Sequence, residues 1–385
     1  MQLNRKWLAV LAALVIANVA LAGMLYARLT ASVPDPLAPR SGFKDGMLHV
    51  PLFPSGDPNT WETAPSASAR FPPGYSLQAS WTAGRAYAGW GGDMRYWLKN
   101  TGPNDIFIYG IGLEGDWGPS VCATVGVTIE PGQQKYLGML HFPGPDAAGT
   151  YNFTFKTGLL AKGLEGDILP MVKWLDYGYV ANAMKPIEFR PLAQPHQFKE
   201  RTNPAYYFDK ANRLMNSKDT AVLQKADDML ARFPGQYSIH QAAAAFDFVH
   251  SNITYKAEPS GEDVWQSPAE TLSLLTGDCE DYTLLLAAMI TALGGTTRFH
   301  VETDHAFLSV YVGTDLPAAT DALSRYYNTK LHVASFSDRY GYWMTADATD
   351  SGFLGALPLG GEPLEASGWG LTNTTVHYPV DLLPD

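Results

Sequence analysis

Cys279, His305 and Asp347 are the residues whose types and order could do covalent chemistry. Cys279 is one of only two cysteines and lies in Thr276-Gly277-Asp278-Cys279-Glu280-Asp281-Tyr282. Gly277 breaks the chain and Asp278 is a good helix N-cap. Tyr282, Leu286, Met289, Ile290 and Leu293 then recur at helical spacing until Gly294-Gly295 ends the run. The thiol is therefore expected in the first turn of a buried helix, where free N–H groups and the positive end of the dipole favour a thiolate. Asp278, Glu280 and Asp281 oppose this, because like charge raises a thiol pKa. Activation then falls to the helix dipole and a partner base.

That base is expected 26 residues on (305 − 279), at the start of Asp304-His305-Ala306-Phe307-Leu308-Ser309-Val310-Tyr311-Val312. The alternation marks a strand, and a histidine at its start can face a site at the sheet edge. A third strand-like run, Tyr342 to Ala346, ends on Asp347. An acid there can accept the imidazole N–H, fix the tautomer and stabilise the imidazolium. Asp350 and Asp338 are rival acids. A lone cysteine or histidine would default to packing, and it is the ordered trio that favours chemistry. The oxyanion would meet the Cys279 backbone N–H and one upstream donor, Trp265 or Gln266. Ordinary packing is an equally good account of Trp265.

GDCEDYTLLLAAMITALGG, DHAFLSVYV and YWMTADAT, the last holding a W-x-x-x-D-x-T pattern, resemble the transglutaminase-like superfamily over about residues 238–355. The resemblance implies a papain-like α+β domain, with the cysteine helix on an antiparallel sheet and Cys279, His305 and Asp347 as a triad. Family members include cross-linking acyl transferases, deglycosylating amidases and cysteine peptidases. The GDCED form is most similar to microbial transglutaminase-like cysteine peptidases. Some of these bind calcium through the acids flanking the cysteine, here Asp278, Glu280 and Asp281. Calcium would be auxiliary, since thiol acyl transfer needs no cofactor. Some members use a tryptophan in the oxyanion hole, which favours Trp265 over Gln266.

The elements that must position these residues follow from periodicity. Val222, Ala226, Met229, Leu230 and Phe233 share a helical face ended by Pro234-Gly235. Ser238 to Gln241 matches a capping box, opening a helix with Ile239, Ala242, Ala243, Phe246 and Val249 inward. Upstream, residues 77–163 read as short strands separated by turn signals, an immunoglobulin-like all-β sandwich in which Cys122 is expected to be buried. Residues 164–204 read as a connector, residues 205–385 as the catalytic domain, and the Pro-rich 32–76 as an extended stalk.

Residues 1–31 hold the uncharged run Trp7 to Ala27, which would span about 31 Å as a helix. Arg5 and Lys6 before it favour a cytoplasmic N-terminus with the remaining domains outside the membrane. Ala20-Leu21-Ala22 also fits a signal-peptide cleavage site, and either reading exports the chain. The net charge of −11 argues against nucleic acid as a partner. Two cysteines exclude a disulfide framework. The sequence thus implies a membrane-anchored thiol enzyme that forms a thioester from amide bonds. Hydrolysis of surface proteins or cell-wall peptides is preferred. Cross-linking to amines and a catalytically silent binding module of the same fold are the alternatives.

Overall fold

The computed structural model describes residues 5–30, 35–70, 72–165, 168–258, 263–365 and 368–384. The N-terminal apolar run forms helix α1 (Arg5–Thr30). Leu14, Val15, Ile16, Val19, Leu21 and Leu25 along it are all more than half exposed. Asn18, its one polar residue between Trp7 and Ala27, donates back to the Leu14 carbonyl at 2.9 Å. Among the described residues no helix is long and apolar enough to cross a membrane. The expected Trp7–Ala27 span extends past them, since the side chains of 5–9, 11 and 27–30 lie outside the described set.

The β-rich region starts with β1 (Leu77–Ala83), β2 (Gly92–Asn100), β3 (Ile106–Gly115) and β4 (Val121–Ile129). It continues through β5 (Gln134–Phe142), β6 (Gly149–Glu165), β7 (Met171–Ala181) and β8 (Lys185–Phe189). One sheet has the order β1-β2-β5 and the other β4-β3-β6-β7, with β8 also pairing β6. Alternation on β2 sends Met94, Tyr96 and Leu98 into a core where Tyr96 stacks on Phe155 at 4.3 Å. The sandwich therefore runs to Phe189, not to 163. β7 escaped the sequence reading because it is partly exposed along its length and shows no inward alternation. Cys122 is exposed, contrary to expectation, because the alternation that buries Ala123 and Val125 turns it outward.

The expected stalk is instead a strap laid across the protein. Pro39 bridges Pro204, Leu52 bridges Ser238 and Ala67 bridges Trp174. Phe43 is buried and stacks on Trp343 at 5.7 Å. Asn59 donates to the Arg325 carbonyl at 3.3 Å, and Glu62 accepts from the Thr128 N–H at 2.9 Å. The prolines keep this segment out of a regular ladder, but its apolar and carboxylate side chains still fasten it.

The mixed α/β region opens with β9 (Lys199–Glu200), α2 (Ala205–Leu214), α3 (Thr220–Arg232) and α4 (Ile239–Asn252). A short parallel pair, β10 (Thr254–Tyr255) and β11 (Thr276–Gly277), flanks α5 (Pro268–Leu274). Helix α6 (Cys279–Ala292) follows, then β12 (Thr297–Val301), β13 (Ala306–Gly313) and α7 (Leu316–Tyr327). The chain finishes through β14 (Ser335–Asp338), β15 (Gly341–Ala346), β16 (Gly361–Pro363), β17 (Trp369–Leu371) and β18 (Val376–Asp381). Six strands form one sheet in the order β14-β15-β13-β12-β18-β9, antiparallel except for β9 against β18.

Helix α6 is the centre of this region. Leu284 through Ile290 are all fully buried, so the helix is enclosed on every side. Each buried leucine contributes about 1.5–3 kcal/mol, which fixes the helix against β12 and β13. The small residues Ala242 to Ala245 let α4 pack close beside it. The expected capping box of α4 forms, with Ser238 donating its N–H to Gln241 at 3.0 Å and accepting from the Gln241 N–H at 3.4 Å.

Candidate active site

Cys279 is the first residue of α6 and is 8 % exposed. The turn before it is locked by Asp281, which accepts the Gln266 N–H at 2.7 Å and the Asp278 N–H at 3.3 Å. Gly277 is required here, since a Cβ would lie 2.6 Å from that of Asp281. Thr283 donates to the Cys279 carbonyl at 2.7 Å and reaches the Ala306 carbonyl at 3.3 Å, tying the first turn of α6 to the start of β13.

The thiol donates to Glu280 Oε2 at 3.0 Å. Burial, then the charge and hydrogen bond of Glu280, push the thiol pKa far up, and the Ala306 N–H only partly offsets them. The opposition expected from the flanking acids is thus present at the sulfur, which is buried and faces the Glu280 carboxylate. Glu280→Gln removes the nearest charge. It should move the rise of thiolate ultraviolet absorbance to lower pH by about one unit, a tenfold effect, in a Cys122→Ser background.

His305 precedes β13 and Asp347 follows β15, two adjacent strands whose register pairs Leu308 with Ala346. The His305 Nε2 and Asp347 Oδ2 are 2.8 Å apart, with both side chains buried. Asp347 also accepts from Leu359 N at 2.8 Å on Oδ2, and from Thr349 N at 3.1 Å and Thr349 Oγ1 at 2.5 Å on Oδ1. Burial raises the Asp347 pKa, but the His305 charge and these donors outweigh it and hold the acid below its ordinary value. Burial likewise lowers the His305 pKa, and the charge and hydrogen bond of Asp347, aided by Glu302 and Asp350, lift it above 6.5. With Nε2 engaged, Nδ1 is the ring nitrogen left for a proton from sulfur. The rival acids are committed elsewhere, Asp350 to Arg85 at 3.0 Å and Asp338 to Arg298 at 3.1 Å.

Trp265 is not available as an oxyanion donor. Its indole N–H donates to Asp263 at 2.6 Å, and Lys210 Nζ lies 3.9 Å above its ring. The ring stacks on Tyr207 and meets Phe299 at 5.2 Å, so the packing account holds. Trp265→Phe keeps most of that packing. It should leave turnover within about twofold, checked by kcat/KM alongside a urea midpoint.

Among the described residues no group of three or more His, Cys, Asp or Glu side chains could hold a metal ion. Asp281 is spent on backbone N–H groups and Glu280 on the thiol. Asp278 is pushed to about 7, first by burial and then by neighbouring acids, and its buried Oδ1 has no partner.

Sequence reasoning assigned no role to four groups around His305 and Asp347. The Ala306 N–H and Leu359 N–H are backbone donors with no residue-type signal. Glu302, pushed to about 7 by burial, lies near enough for the His305 charge to act on it. Thr349 was legible in principle, two residues after Asp347 in the W-x-x-x-D-x-T pattern.

Residues 226–348 match the family model of the transglutaminase-like superfamily. The match spans under a third of the chain and agrees with the resemblance read from the Cys279, His305 and Asp347 motifs. Among solved structures, a candidate protease from Parabacteroides distasonis aligns at 10 % identity and a TM-score of 0.23. The alignment covers 61 % of this chain and 64 % of that one. A family 123 glycoside hydrolase from Clostridium perfringens aligns at 13 % identity and a TM-score of 0.15. It covers 42 % of this chain and 37 % of that one. The chain thus spans less than two thirds of either structure. No curated protein matches it.

Proposed function

We propose that the protein is a thiol enzyme that hydrolyses amide bonds of peptides or proteins through Cys279, His305 and Asp347. The observation that carries this reading is the 2.8 Å contact of His305 with Asp347, at the start of a β13 that Thr283 ties to the first turn of the Cys279 helix. In this reading the Cys279 proton leaves Glu280 and passes to His305 Nδ1 as the sulfur attacks the carbonyl carbon. Asp347 holds the Nε2–H tautomer and stabilises the imidazolium. The Cys279 backbone N–H receives the oxyanion. Gln266 is the second donor, since its backbone is fixed beside the first turn of α6 and Trp265 is occupied. The tetrahedral adduct collapses, the amine leaves with the His305 proton, and water releases the acid from the thioester.

The setting we propose is the outer face of a membrane, with α1 as a single-pass anchor whose N-terminus is cytoplasmic. The exposed apolar side chains of that 26-residue helix support this. The substrates would be surface proteins or cell-wall peptides. The sheet order β1-β2-β5 against β4-β3-β6-β7 supports reading the sandwich as immunoglobulin-like.

The test is mass spectrometry of a glutamine-containing peptide incubated with the full chain, with and without an added primary amine. Hydrolysis predicts cleaved or deamidated products in water alone. Products that require the amine would replace hydrolysis with cross-linking, and no product under either condition would favour the silent module.

A further inference from the structure

We propose that Arg85 of the β-sandwich is a positioning residue for the triad acid, so that the sandwich forms part of the catalytic apparatus. This rests on the triad reading above. Arg85 follows β1 and reaches across to the segment after Asp347. Its guanidinium donates to three carbonyl oxygens, Leu357 at 3.2 Å, Pro358 at 2.7 Å and Gly361 at 3.1 Å, and pairs with Asp350 at 3.0 Å. Those carbonyls bracket Leu359, whose N–H donates to the same Asp347 oxygen that His305 contacts. One planar cation with a fixed donor fork thus holds the backbone on both sides of a triad hydrogen bond.

Further sandwich contacts point to the same segment. Arg95 donates to the Gly352 carbonyl. Asp93 packs so tightly against Gly84 and Gly352 that a Cβ on either would come within 2.6 Å of its carboxylate. Within the segment, Ser351 donates its N–H to the Asp347 carbonyl at 2.9 Å and its hydroxyl to the Leu357 carbonyl at 2.8 Å. The path from sandwich to triad is therefore continuous: Arg85, the carbonyls around Leu359, Leu359 N–H, Asp347, His305. A clamp of this kind ties the activity of the site to the docking of the sandwich.

Arg85→Ala should free the segment, loosen Leu359 from Asp347 and weaken the hold of Asp347 on His305. The groups acting on His305 are Asp347, Glu302 and Asp350. Weakening the first of them lowers the pH at which the imidazole titrates; Arg85→Ala also unpairs Asp350, which pulls the other way, so all chains compared carry Asp350→Asn. The experiment measures the Cys279 acylation rate of the full chain with p-nitrophenyl acetate against pH, and follows His305 by NMR titration. The expected result is a roughly tenfold slower maximum with an acid limb moved to lower pH, and a matching drop in the His305 midpoint. Trp90→Ala is the control. It removes the stack of Trp90 on His332, another sandwich contact, leaves the hydrogen bonds of Arg85 in place, and should move neither midpoint. Arg85→Lys keeps the charge but cannot span three carbonyls, and should show part of each effect. It decides the matter if the alanine variant fails to fold.

Unchanged rate and midpoint in Arg85→Ala, or equal shifts in Trp90→Ala, would overturn the assignment. The NMR midpoint needs no turnover. A wild-type chain that fails to acylate Cys279 would sink the functional reading and still leave the Arg85 connection measurable.

Discussion

Cys279→Ala removes amide-bond turnover, with kcat falling by about 10⁶-fold, the scale of losing a nucleophile that acts as one unit with its base. The loss should come without unfolding. The side chain is small and sits at the end of α6, and the helix is held by Leu284, Leu285, Leu286 and Ile290, not by its first residue. Thermal midpoints of variant and wild type should therefore agree within a few degrees, since deleting one small buried side chain shifts stability by about 1 kcal/mol. Measured turnover that persists in a folded Cys279→Ala protein would place the chemistry elsewhere.

Asp347→Asn is the second large effect, about 10⁴-fold in kcat. An asparagine that keeps its contact with His305 can present an amide N–H to Nε2, which moves the ring proton to Nδ1 and blocks the position that must receive the thiol proton. The pH profile should move as well. His305 is held above 6.5 by Asp347 against the pull of burial, and the reaction needs neutral imidazole. Wild-type activity therefore falls as pH drops through that raised value. With the carboxylate charge gone, burial dominates and the acid limb moves down. A kcat/KM profile with an unshifted limb would mean that Asp347 does not face His305 during turnover.

The proposed triad residues and their supporting elements were legible because each carries a local signal. Asp278 and Gly277 mark the start of α6, and the apolar repeat from Tyr282 to Leu293 marks its body. The alternation after His305 marks β13, and the run Tyr342 to Ala346 marks β15. The ionisation of the site was not legible. Whether Glu280 repels the sulfur at a distance or holds its proton depends on a side-chain direction that helical spacing leaves open. Trp265 was misjudged for a similar reason, since its single N–H is taken by Asp263 two residues away. The strap and β7 were misjudged because proline content and missing alternation describe local backbone, whereas their fastening comes from partners such as Trp343, Ser238 and β6. The clamp at Arg85 joins residues 272 to 276 positions apart, and no motif connects them.

The central claim is that Cys279 attacks carbonyl carbon with His305 as its base. Brief exposure of the full chain to p-nitrophenyl acetate, acid quench and peptide mass mapping reads this directly. The acetyl group should sit on Cys279, and its rate of appearance should collapse in His305→Ala. Acetylation confined to the exposed Cys122, or a Cys279 rate unchanged in His305→Ala, would contradict the account.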